Sequence, residues 1–175
     1  VTRFLVLTLI GDDRPGLVEQ LSSVITAHQG NWLESSMAQL AGKFAGVLKL
    51  SVAPEYAPAL QAALIAIPAL TVIVETSPDG TAAAGVRNRH LSFSLVGHDR
   101  LGIVREISQV FARHGVNVEK LTTYTSSAPM SSETLFHAEA ELRADEHLDA
   151  SALQADLERL SNDLIADINL DEKTA

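Results

Sequence analysis

Gly11-Asp12-Asp13-Arg14-Pro15-Gly16-Leu17-Val18 returns as Gly97-His98-Asp99-Arg100-Leu101-Gly102-Ile103-Val104, 86 positions later. The match continues without a gap to Asn31 and Asn117, and nine of its 21 aligned positions are identical. The chain is therefore a duplication of one small unit, and the fold must be read on that unit. Before the quoted turn, Leu5, Leu7 and Leu9 alternate with Val6 and Thr8. Leu91, Phe93 and Leu95 alternate with Ser92 and Ser94 at the same offset. Period two predicts a strand with one buried face.

After the turn, Leu17, Val18, Leu21, Val24 and Ile25 form one stripe of a 3.6-residue period. Ile103, Val104, Ile107, Val110 and Phe111 repeat it. Each stripe predicts a helix, with Asp13 or Asp99 placed as its N-cap. Gly30 and Gly115 stand near the helix ends as left-handed terminators. They do not align, which predicts different exit turns. Two strands follow in each copy, Trp32–Leu40 with Ala45–Ala53 and Val118–Ser126 with Glu133–Leu142. The second pair has the longer, more polar connection, Ser127–Ser132, and the more mobile one is expected there. Second helices are signalled by Leu60–Leu64 and Leu153–Leu157, and final strands by Thr71–Thr76 and Leu164–Leu170.

The order βαββαβ, twice, predicts an α+β protein of two ferredoxin-like domains in tandem. Each is a four-stranded antiparallel sheet with two helices on one face. The domains are expected at 1–76 and 89–171, with a breaker-rich linker at 77–88 and a fraying tail at 172–175. Units this small gain from packing on another surface, and each leaves a sheet face bare. Contact between the copies, or between two chains, is expected.

Composition narrows the functional classes. The net charge is −9, with 13 basic residues scattered among 22 acidic ones and no basic run. Aromatics are 5%. Both features argue against direct nucleic-acid binding. No apolar run approaches a membrane span, and the N-terminus has no signal-peptide pattern. The absence of cysteine removes disulfides and thiolate chemistry and fits a reducing cytoplasm.

The repeated turn has a Gly-x4-Gly skeleton, but no Lys-Ser/Thr follows to hold phosphates, and its carboxylates would repel them. What it offers is a strand running into a helix N-terminus, whose free amides suit a carboxylate. Gly16 and Gly102 permit close approach. Asp13 or Asp99 can accept from an ammonium group, and Asn31 or Asn117 supplies donor and acceptor. Together these groups describe a free amino acid. The same residues also admit a structural reading: Asp13 as a cap, Gly16 for helix packing, Asn31 for a turn, Arg14 and Arg100 exposed or paired with Asp. His98, in place of Asp12, is either a ligand contact or a solvated loop residue. His28 and His114 repeat at helix C-termini, where a cation suits the dipole. The six histidines show no zinc spacing, and no nucleophile elbow or Ser/His/Asp set stands out. No catalytic residue, metal or cofactor is expected.

A βαββαβ unit with Gly-x-Asp-Arg-Pro-Gly at its first turn and Asn opening its second strand resembles the ACT domain, a module that binds amino acids and regulates other proteins. The resemblance covers almost the whole chain. A stand-alone pair resembles the glycine cleavage system transcriptional repressor family. That resemblance implies a non-enzymatic glycine sensor, acting through a DNA-binding activator protein without itself holding DNA, and a homodimer. It implies ligand contacts at Gly11, Asp12, Asp13, Gly16, Leu17 and Asn31, and at Gly97, His98, Asp99, Gly102, Ile103 and Asn117, in a site at an interface between two such domains. Leu101, where proline is usual, and His98 depart from the pattern and predict two inequivalent sites. A regulatory subunit of a metabolic enzyme and a purely structural dimerisation module remain as alternatives.

Overall fold

The computed structural model describes residues 2–77 and 88–173. The chain divides into two compact units, Val1–Ala82 and Ala83–Ala175. The first contains β1 (Arg3–Asp12), α1 (Leu17–Ala27), β2 (Asn31–Leu40), β3 (Lys43–Val52), α2 (Ala57–Ile65) and β4 (Thr71–Ser77). The second repeats the order as β5 (Asn88–His98), α3 (Ile103–Arg113), β6 (Asn117–Ser127), β7 (Thr134–Asp145), α4 (Ala150–Leu164) and β8 (Asp167–Lys173). Each unit forms one antiparallel sheet, in the order β2-β3-β1-β4 or β6-β7-β5-β8. The predicted ferredoxin-like architecture is present twice. Most of the expected linker lies outside the described residues.

The alternation read in β1 points Leu5, Leu7 and Leu9 at the helices, each at most 1% exposed. They pack with Leu21 and Ile25 of α1 and Leu60 and Leu64 of α2. Burying each such side chain contributes about 1.5–3 kcal/mol. In the second unit Leu91, Phe93 and Leu95 meet Ile107 and Phe111 of α3 and Leu153 and Leu157 of α4. Phe93 and Phe111 meet edge to face, with centroids 5.0 Å apart. The opposite sheet faces carry no helix of their own unit.

The edge strands β2 and β6 break register at the same repeat position, between Trp32 and Glu34 and between Val118 and Lys120. The first hairpin closes through Ala41 (φ 49°) and Gly42 (φ 78°), both left-handed as a two-residue turn between right-twisted strands requires. The second hairpin has the larger loop, residues 128–133, where the Ala128 amide donates to the Glu133 carbonyl at 2.8 Å.

Three local expectations are corrected. The helix caps are not Asp13 and Asp99 but Gly16 (φ 90°) and Gly102 (φ 83°), with no side-chain cap bond in either helix. The exit turns do not differ in kind. Gln29 (φ 58°) and Gly115 (φ 65°), which align, both take the left-handed position. Gly30 instead makes room, because a Cβ there would lie 2.8 Å from Ile25 Cγ2. Finally, Leu164 ends α4 rather than opening the last strand. It completes the helical stripe of Leu153, Leu157 and Leu160, and Ile165 (φ 50°) terminates it. β8 then runs to Lys173, opposite His90.

Candidate functional site

The turn is built the same way in both units. β1 delivers Gly11 and Asp12, and β5 delivers Gly97 and His98, at their C-terminal ends. A Cβ on Gly11 would fall 2.3 Å from the Ala69 carbonyl oxygen, and one on Gly97 2.7 Å from Ala166 Cβ. These glycines let the chain before the last strand cross close to the turn. The Asp13 amide donates to the Gly42 carbonyl (3.0 Å) and the Asp99 amide to the Thr134 carbonyl (2.9 Å), tying each turn to the neighbouring hairpin. Neither carboxylate makes a cap bond to its helix. Among the described residues, no hydrogen bond or ion pair engages the side chains of Asp13, Asp99, Asn31 or Asn117.

The helix N-termini are open. The Gly16 carbonyl accepts from Gln20 and the Gly102 carbonyl from Glu106, so the amides of Leu17, Val18 and Glu19, and of Ile103, Val104 and Arg105, precede the first helical bond. By contrast, Asp149 caps α4 by accepting from the Ala152 amide at 3.0 Å. A Cβ on Gly16 or Gly102 would meet no atom within 4 Å, so these glycines serve a left-handed backbone and not tight helix packing. Leu17 and Ile103 bury their side chains in the core and turn only their main chain toward the site.

The two turns carry different charge. Asp12 hydrogen-bonds Lys43, its cross-strand partner on β3. The Lys43 ammonium holds the Asp12 carboxyl below the usual carboxylate range, with a smaller contribution from Arg14. In the second unit His98 Nδ1 lies 3.3 Å from Glu133, in the long hairpin loop. Arg100 pairs with Glu106 rather than with Asp. The sequence reading missed Lys43 and Glu133 because both come from the hairpin. The register, which sets Asp12 opposite Lys43, reveals the first, and the fold of the second hairpin loop, which brings Glu133 to His98, reveals the other. A concavity of about 300 Å³ adjoins the first turn, between Asp12 and Lys43 on one side and Pro68 to Thr71 on the other.

The register also separates residues that the sequence grouped. Asn31 pairs with Ser51, which pairs with Phe4, whereas Asp12 lies opposite Lys43 at the other end of the sheet. Eight residue steps along β1 separate them, a span of about 26 Å. One small ligand cannot touch both the turn and the Asn31 of its own unit. Asn117 and the Gly97–Gly102 turn are separated in the same way. Among the described residues, no cluster of three or more His, Asp or Glu side chains is arranged to hold a metal. No described helix is long and apolar enough to cross a membrane.

Residues 3–75 match one family model and residues 92–159 another, both described as ACT domain. Among solved structures, an unknown protein from Galdieria sulphuraria superposes with a TM-score of 0.87 at 27% identity, covering 99% of this chain and 100% of that one. A protein provisionally identified as a glycine cleavage system transcriptional repressor superposes with a TM-score of 0.72 at 20% identity, covering 100% of this chain and 99% of that one. No curated protein matches the chain.

Proposed function

Since the chain belongs to the ACT domain family, with one such domain in each of its two units, we propose that it is a non-enzymatic, amino-acid-sensing regulatory protein. The observation that carries this reading is the open helix N-terminus, present twice. Uncapped amides stand there beside a glycine without neighbours and an aspartate without a partner. The amides receive the ligand carboxylate, and Asp13 or Asp99 its ammonium group.

Because Asn31 lies far from its own turn, the site is completed by the Asn31 of a second chain, in a homodimer. Glycine is the proposed ligand, on the small size of the turn and the whole-length likeness to the protein provisionally identified as a glycine cleavage repressor. The proposed role is regulation of the glycine cleavage system in the cytoplasm. Ligand binding shifts a two-state assembly and so its affinity for a protein partner, a transcriptional activator. The scattered basic residues and the charge of −9 support action through a protein rather than on DNA.

Isothermal titration with glycine tests the reading. Saturable binding whose first-unit component is lost in Asp13→Ala and in Asn31→Ala supports it. Binding unchanged in both variants overturns the first-unit site, and no binding of any amino acid overturns sensing. Affinity capture then identifies the partner: an activator supports the proposed pathway, and a metabolic enzyme replaces it.

A further inference from the structure

The two units present different open sheet faces at identical backbone positions. In the first, Thr8 of β1 is flanked by Val47 on β3 and Ile73 on β4, which are 49% and 57% exposed, and Val6 by Lys49 and Glu75. In the second, Ser94 is flanked by Glu139 on β7 and Asn169 on β8, and Ser92 by Glu141 and Asp171. The fold thus tolerates apolar residues at the places of Ser92, Glu139 and Asn169, and their polar character in the second unit is not required by folding.

The exchange makes a trough. Short serines on the central strand form its floor, and longer side chains on both neighbouring strands rise as walls. It encloses about 300 Å³, at the lower end for a small-molecule site. Its charges are mixed and partly unsatisfied. Glu141 is taken by Lys173 at 3.0 Å. Lys120 feels Glu141 electrostatically but forms no ion pair, and Glu139 and Asp171 form none either, among the described residues. The other described lysines, Lys43, Lys49 and Lys173, all do. The trough therefore offers one free ammonium and two free carboxylates, with the Ser92 and Ser94 hydroxyls and the Asn169 carboxamide between them.

From this complement we infer that the open sheet face of the second unit is a binding site for a basic amino acid. A molecule with one carboxylate and two cationic groups answers all three free charges: its carboxylate at Lys120, its two cations at Glu139 and Asp171. Hydroxyl and carboxamide oxygens accept the remaining ammonium protons. This site is separate from the helix N-terminal turns and does not depend on them.

The test is isothermal titration of the full chain with L-lysine, with L-norleucine (no second amine) and with 1,5-diaminopentane (no carboxylate). Lysine is expected to bind, and both analogues to bind at least about tenfold more weakly. Glu139→Val, which installs the residue of the first unit, Asp171→Asn and Lys120→Met should each weaken lysine by a similar factor. Circular dichroism checks that each variant folds. Asp99→Ala should leave lysine binding unchanged. Absence of lysine binding, equal affinity for either analogue, or insensitivity to Glu139→Val and Asp171→Asn together overturns the inference. Lysine binding lost in Asp13→Ala or Asp99→Ala but kept in Glu139→Val places it at the turn and also overturns it, without touching the proposed sensor function.

Discussion

Gln29 holds the left-handed position that Gly115 holds in the second unit. A side chain in that conformation costs about 1–2 kcal/mol, and glycine removes the cost while adding some unfolded-state entropy. Gln29→Gly is therefore expected to raise stability by about 1 kcal/mol, read as an increased urea midpoint. Gly16→Ala should lower it by a similar amount, since its φ of 90° admits no side chain without strain although the space is empty. The pair also shows why glycines were the hardest residues to read. Gly30 and Gly115 carry the same letter for different reasons: one clears room for Ile25 and the other turns the chain left-handed. The letter does not distinguish close packing from positive φ, so the sequence placed the terminator at Gly30 when it lies at Gln29. Asp13 misled in the same way. It has the chemistry of a cap, but the cap is Gly16, and its carboxylate is left without a partner.

Strands and helices were legible wherever one face is buried, because apolar spacing records burial directly. Leu5, Leu7 and Leu9 specified β1, and Leu153 and Leu157 specified α4. The end of α4 was not legible, because Leu164 suits a strand start as well as a helical stripe. One further contact to that helix is also absent from the apolar pattern. His114, at the end of α3, meets Asp156 of α4 at 2.7 Å, with both side chains largely covered. The hydrogen bond from His114 holds the Asp156 carboxyl below its usual range, and Arg159 and Arg113 contribute less. A lowered carboxyl pKa stabilises the fold above the unfolded value near 3.9. That contribution drains away as pH falls through the lowered value. Asp156→Asn should therefore be less stable than the parent at pH 6, and the two urea midpoints should converge as pH falls below about 4. Parallel curves down to pH 2 would show that the His114–Asp156 contact contributes nothing to the difference.

At the scale of the molecule, duplication was legible and assembly was not. Gly11 to Asn31 reads as one contiguous motif, yet the antiparallel register sends its two ends to opposite ends of the sheet. No sequence spacing reveals that, because the intervening helix hides the reversal. The separation makes a strong demand on the proposed sensor. A turn in one chain and an asparagine in another form a site only in a dimer, and in a two-fold dimer the contributions are reciprocal. An Asp13→Ala homodimer has both first-unit turns damaged, and an Asn31→Ala homodimer has both asparagines missing. A mixed dimer gathers both defects into one site and leaves the other intact. Unfolding and refolding an equal mixture of the two inactive variants should therefore restore about a quarter of the parent first-unit sites, at parent affinity, in a glycine titration. Neither variant refolded alone should recover any. If the mixture binds no better than its components, turn and asparagine do not meet across chains, and the ligand must be held by the turn without Asn31.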